Sequence, residues 1–443
     1  IITSDLSPKK LFECWLDILN GSKTIIIGTR RALFMPWFNL NHIFLIDESS
    51  QNYKSWDMSP LYHTRDACLL LAKHHKSKLH LLTHTPSVET YYFSLKNIYN
   101  TKSIDLTSFS NQPQIINMRN QRKSGNYEFL SDKLYEKIKK CSGNIFIFLN
   151  RRGSATYTGC RDCSQPLICK KCDQLLAYYE TTNKLKCHYC NTTQPMPLFC
   201  SNCKSQNLFN IGVGTQQAEK TFKKLFPNKN ILRIDSDQDI EKIKKLQKIQ
   251  TDNQIIVGTQ QAWSLINWKK IDMIAFIDTD ISMFIPEYKA MENLWQLLRE
   301  VQYKINKKAA FLIQTNHPDN IVFRSLINPI FFYNQEIIAR HTLGYPPFKF
   351  MLKLSYGNVN QIATTEKTKY VCQKLKTLTK QKKSIIVNGP FNTNRPFHKG
   401  RYWKIILVKI NYSSYKQDIK FLLSNLPTDW KVDPNPNTIL SIN

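Results

Sequence analysis

The chain has 443 residues, 42% of them hydrophobic, enough for two to four domains with ordinary cores. It holds no run of about 18 apolar residues, so no membrane-spanning helix is expected, and its opening, IITSDLSPKK, lacks the basic start and apolar centre of a signal peptide. Its 62 Lys and Arg against 33 Asp and Glu leave a net charge of +29; this suits a polyanionic partner through counterion release, although a bias toward Lys, Ile and Asn, residues of AT-rich codons, supplies part of the excess.

In chain order, residues 1–110 alternate short apolar runs with periodic stretches. Thr24–Gly28, His42–Asp47 and Lys78–Thr83 predict strands, with helices over Leu11–Leu19 and Asp66–His74. Residues 111–330 repeat the rhythm. Strands are predicted at Asn144–Leu149, Ile231–Ile234, Gln254–Val257 and Met273–Ile277, with helices over Gln216–Leu225 and Asp239–Lys248. Continuous apolar strands alternating with helices imply parallel sheets covered on both faces. A cysteine-rich insertion, residues 157–208, interrupts this second unit. Residues 331–443 read as a smaller α+β domain. Its predicted strands are Phe350–Ser355, Ser384–Val387 and Lys404–Val408, with helices near Ile362–Leu378 and Tyr415–Leu426.

The insertion carries four CxxC pairs: Cys160/Cys163, Cys169/Cys172, Cys187/Cys190 and Cys200/Cys203. A CxxC turn aims two thiolates at one point, and two turns complete the tetrahedral shell of a structural Zn2+, so four pairs imply two ions. Nested pairing (the outer four cysteines together, the inner four together) is favoured. The sequential alternative has the five residues between Cys163 and Cys169 fold two turns onto one ion. A shell filled by thiolates leaves no open position, which makes both ions structural. Cys14, Cys68, Cys141 and Cys372 are scattered and read as buried small hydrophobes.

Taken together, several segments resemble one family. GTRRALFMPW (28–37), HIFLIDESSQNYKSW (42–56), LYHTRDA (61–67) and LLTHTPSVET (81–90) resemble the first helicase lobe of the PriA family of replication-restart proteins (primosomal protein N′). LNRRGSA (149–155), the eight cysteines, VGTQQAEKTFKKLFP (213–227), RIDSD (233–237), VGTQQ (257–261) and IDTD (277–280) resemble its second lobe. YPPF (345–348), NGP (388–390), RYWK (401–404) and VDP (432–434) resemble its C-terminal domain. The resemblance implies an α/β fold with two RecA-like lobes over 1–110 and 111–330, the first incomplete, a zinc-binding insertion with nested cysteine pairs, and a C-terminal domain over 331–443. It also implies a cytoplasmic protein that binds forked and single-stranded DNA. Its implied partners are primosome components, among them single-strand-binding protein and the replicative helicase.

The family's motor is an ATP-dependent 3′–5′ helicase, and here the sequence departs from it. No GxxxxGK[ST] phosphate loop is present, and the chain is expected to be an N-terminally truncated, degenerate member. Asp47 and Glu48 stand where the family's DEEH begins, but Ser49 and Ser50 follow. The family's QxxGRxGR element falls on residues 300–307, where Lys304 and Lys307 replace arginines and Tyr303 and Asn306 replace glycines. Ser264 and Leu265 stand in place of a Lys-Gly pair. ATP and Mg2+ are therefore not expected to be used; the alternative is a fragment of an active helicase. The candidate DNA contacts are Arg151 and Arg152 after a strand end, the aromatics Tyr53, Trp56 and Tyr62, and Arg401, Trp403 and Lys404.

Overall fold

The computed structural model describes residues 1–56, 59–102, 111–149, 157–160, 162–163, 165–170, 175–179, 184–187, 192–211, 215–234, 253–277 and 279–441. The helix predicted over Asp239–Lys248 lies outside them.

The first unit opens with helix α1 (Pro8–Leu19), which Ser7 caps and Pro8 starts. Strands β1 (His42–Ile46) and β2 (Lys78–Leu82) pair in parallel around helix α2 (Thr64–His75), and helix α3 (Val88–Leu95) follows. Side chains alternate across this two-stranded sheet. Leu45 turns inward and is buried, as are Cys68 and Ala72 on α2. Phe44 and Ile46 point outward and stay 60% and 67% exposed, with His80 stacked on Phe44 at 4.5 Å. The strand predicted over Thr24–Gly28 does not form. Only Gly28 pairs, with Ile2, while Ile25 and Ile27 lie in solvent. An apolar run becomes a strand only where a neighbour can take its hydrogen bonds, and Ile2 offers one bridge.

The second unit is a six-stranded, all-parallel sheet in the order β10-β11-β4-β12-β13-β3. Its first elements are β3 (Gln114–Asn117), α4 (Met118–Lys123), α5 (Asp132–Lys140) and β4 (Asn144–Phe148). The insertion then supplies β5 (Tyr157–Cys160), β6 (Leu176–Tyr179), β7 (Lys184–Cys187), β8 (Thr193–Pro195) and β9 (Leu208–Ile211). The sheet resumes with α6 (Thr215–Leu225), β10 (Asn230–Ile234), β11 (Gln254–Gly258), β12 (Ile271–Phe276), α7 (Asp280–Met283), α8 (Ala290–Lys304) and β13 (Ala310–Thr315). All five residues of β4 are buried, as are all five of β11. Their alternation feeds two cores. Ile145, Ile147, Ile255 and Val257 meet Leu134 and Phe222 on one face; Phe146, Phe148 and Phe276 meet Trp295 and Leu298 on the other. After α9 (Ile321–Arg324), helix α10 (Pro329–Leu343) stacks Phe332 on Trp295 at 4.4 Å. By packing, α10 therefore belongs to the second unit, although the sequence reading opened the third at residue 331.

The third unit is a four-stranded antiparallel sheet, β15-β16-β14-β17. It comprises β14 (Lys349–Asn358), α11 (Gln361–Thr379), β15 (Ile385–His398), β16 (Arg401–Asn411), α12 (Tyr415–Ser424) and β17 (Lys431–Pro434). Val371, Cys372, Leu375 and Leu422 bury one face; Met351, Ile405 and Leu407 on the other meet Ile439, Tyr288 and Tyr345.

Buried charges join the three units. Glu89 on α3 pairs with Lys289 at 3.0 Å and Arg340 at 3.3 Å, and Arg340 pairs with Glu292 at 2.7 Å. Glu292 also accepts from the Val88 N–H at 2.8 Å. Lys54 of the first unit reaches Asp433 of the third at 2.7 Å. Burial opposes ionisation of Glu89, but Lys289 and Arg340 outweigh it and hold the carboxyl well below its usual range. A depressed carboxylate contributes stability above its unfolded pKa of about 4.3 and loses it as pH falls through the lower folded value. Glu89→Gln strands the facing cations and is expected to cost about 3 kcal/mol in urea unfolding at pH 7. The variant should also lose part of the wild type's acid sensitivity below about pH 4.

Candidate functional site

The outer two cysteine pairs converge. The Cys160 N–H donates to the Gln165 carbonyl at 2.9 Å and the Cys200 N–H to the Ser205 carbonyl at 2.7 Å, so each CxxC closes the same turn. Lys204 takes a left-handed φ of 61° to finish the second. Strands β5 and β9 pair antiparallel and set the two turns side by side. The four Sγ atoms of Cys160, Cys163, Cys200 and Cys203 lie within 4.8 Å of one another. Cys160 and Cys203 are 3.5 Å apart and Cys163 and Cys200 3.6 Å. A tetrahedral ion with bonds of about 2.3 Å separates its sulfurs by about 3.8 Å, so this donor set fits a thiophilic metal. Burial pushes the Cys160 thiol up to about 12, a state that a bound cation reverses. Of the inner set, Cys169 and Cys187 are fully buried together with Leu167, Leu176 and Leu185; Cys172 and Cys190 lie outside the described residues.

A second constellation lies between the first two units. Asp47, at the end of β1, adopts a φ of 58° and is exposed. Glu48 is fully buried. It accepts from the Ser87 N–H at 2.7 Å, the Ser87 hydroxyl at 3.2 Å and Arg65 Nη1 at 3.2 Å. Ser87 caps α3, so Glu48 serves as an anchor for that helix. A small pocket beside Glu48, with room for about one water, is lined by His63, Arg65, Lys289, Glu292 and Gln296. Burial, with Arg65 and Lys289 adding to it, holds His63 well below the usual histidine range, which keeps it neutral. From the opposite side, Tyr303 at the end of α8 stacks on His84 with ring centroids 3.3 Å apart. The next residue, Lys304, pairs with Glu300 and lies 5.6 Å and 5.9 Å from the Trp263 and Trp268 rings. Lys304, which stands where the family carries arginine, remains exposed beside these groups.

No protein-family model matches the chain. Curated relatives do. Replication restart protein PriA of Haemophilus influenzae is 31% identical over 369 residues, 79% of this chain and 50% of that protein. PriA of Bacillus subtilis is 28% identical over 382 residues, 82% of this chain and 47% of the relative. PriA of Synechocystis is 29% identical over 447 residues, 95% of this chain and 52% of the relative. The chain belongs to the PriA family. It spans about half the length of these PriA relatives.

The residues that the PriA resemblance assigns to DNA fare differently. Trp56 is 57% exposed. Tyr53 is partly buried and donates its hydroxyl to the Ile46 carbonyl at 2.6 Å, and Tyr62 packs edge-on against Phe34. Trp403 donates Nε1–H to the His398 carbonyl at 3.1 Å, and Lys404 donates to Asn392 at 2.8 Å. Arg401 is exposed. Arg151 and Arg152 lie outside the described residues. The sequence reading missed the Tyr303–His84 stack and the two tryptophans about Lys304. Their signal was present, since Tyr303 occupies a position where the family carries glycine. Among the described residues no helix is long and apolar enough to cross a membrane.

Co2+ added to reduced, metal-stripped protein is expected to give thiolate-to-cobalt absorption. Cys200→Ser should lower that absorption and release an ion by elemental analysis, together with a fall in melting temperature. An unchanged metal content would refute the four-cysteine site.

Proposed function

We propose that this PriA-family chain is a DNA-fork-binding factor of replication restart. It recognises abandoned forks, promotes primosome assembly and reloads the replicative helicase, without efficient ATP hydrolysis of its own. It carries two structural Zn2+ ions: one on Cys160, Cys163, Cys200 and Cys203, the other on Cys169, Cys172, Cys187 and Cys190. Its two parallel-sheet units correspond to RecA-like lobes. The observation that carries the loss of hydrolysis is the buried, fully engaged Glu48. Phosphoryl transfer needs a carboxylate on Mg2+ and a mobile cation at the γ-phosphate. Here Glu48 is fully buried and tied to Ser87 and Arg65, and Tyr303 stacks on His84 where the family carries glycine. The relatives' shared name, replication restart protein, supports the fork reading. The net charge of +29 supports the polyanionic partner.

The purified protein is expected to show no DNA-stimulated ATPase above background; activity abolished by Asp47→Asn would restore the active-helicase reading. Binding to forked or single-stranded DNA, followed by fluorescence anisotropy, should fall roughly a thousandfold between 50 and 200 mM salt if about six phosphates are engaged. Trp56→Ala should weaken single-strand binding by about 1–3 kcal/mol with the salt slope unchanged, because stacking releases few counterions.

A further inference from the structure

The β15–β16 hairpin projects from the third unit, and its tip differs from what RYWK alone suggested. Register between the strands shifts after Asn388 and again between Asn392 and Phe397. At the second shift the strand leaves β16, and the Asn394 N–H donates to the Leu440 carbonyl at 2.8 Å. The base of the tip is held from several sides. The Trp403 ring lies against Gly357, where a Cβ would stand 2.7 Å from it. Trp403 Nε1–H holds the His398 carbonyl, Lys404 holds Asn392, and the Thr364 hydroxyl of α11 reaches the Tyr402 carbonyl at 3.3 Å. Trp403 and Lys404 are thus spent on rigidity. What remains outward is Phe397, Lys399 and Arg401. Phe397 rests on Tyr402 with centroids 4.9 Å apart, yet stays 55% exposed. Lys399 and Gly400 take left-handed φ values of 49° and 74° and form a tight two-residue turn between His398 and Arg401.

A large aromatic ring kept in solvent beside a braced turn, with exposed Lys399 and Arg401 in the same tip, has the attributes of a base-stacking platform. The domain around it is strongly basic, with 17 Lys or Arg against 4 Asp or Glu between Tyr345 and Asn443. One exposed ring face matches one exposed base face. We propose that the Phe397–Arg401 tip docks on the branch point of forked DNA, where Phe397 stacks on the first unpaired base while Lys399 and Arg401 hold the adjoining phosphates. This rests on the fork-binding reading and locates one contact within it.

The test compares wild type, Phe397→Ala, Phe397→Trp and Arg401→Gln on a fork and on a single strand, by anisotropy across four salt concentrations. A fork carrying 2-aminopurine at the first unpaired position reports stacking directly. Phe397→Ala should weaken fork binding fivefold to about a hundredfold with an unchanged salt slope, and it should abolish the change in 2-aminopurine fluorescence on binding. Phe397→Trp should preserve both. Arg401→Gln should lower the salt slope by about one unit. These positions lie outside the cores, so equal melting temperatures serve as the check that each variant is folded. If the wild type binds no DNA, the fork reading itself fails. If it binds and Phe397→Ala matches it in affinity and fluorescence, the tip proposal alone is overturned. Loss of an acidic, apolar-tailed peptide in Arg401→Gln with fork binding intact would assign the tip to a protein partner and overturn it as well.

Discussion

The buried charge knot of Glu89, Lys289, Arg340 and Glu292 is the constraint on which the rest depends. It takes one residue from the first unit and three from the second, and Tyr288, beside Lys289, packs with Ile439 and Tyr345 against the sheet of the third. Desolvating so many charges is costly, and the cost is offset only when every partner is in place. The knot therefore demands one relative placement of the units. Lys54 on Asp433 imposes the same demand from the far side. Once α3 is fixed this way, Ser87 holds Glu48, and the cleft between the units takes the closed form in which Tyr303 reaches His84.

The two candidate centres have opposite chemistry. The cysteine turns repeat one backbone hydrogen-bond pattern, and their sulfurs converge at a spacing that a metal can bridge. In the cleft, a buried acid is held by the Ser87 that caps α3, and a tyrosine stacks on His84 where the family carries glycine.

Much of this was legible in the sequence. The strands of the second sheet are continuous apolar runs because both faces are buried, so NIFIF and QIIVG could be read directly. The CxxC spacing announced the four-cysteine cluster for the same reason that the cluster forms, a short turn with two thiols. Strand β3 (QIIN) was too short to stand out, and the run TIIIG stood out without becoming a strand, because pairing depends on a neighbour that composition does not reveal. Residues such as Trp403 and Lys404 looked like DNA contacts by type. Their partners, the His398 carbonyl and Asn392, are set by the strand register, and only the fold shows these bonds.

The outward face of β1 and β2, with Phe44, Ile46 and Leu82 in solvent, has a colloidal consequence. Apolar patches on a small parallel sheet with open edges attract one another, while a net charge of +29 keeps molecules apart. Added electrolyte shortens the range of that repulsion to about 8 Å at 0.15 M and leaves the apolar attraction in place. Added salt thus brings copies of this protein together. The dispersed state is confined to a window of ionic strength set by these two opposing surfaces.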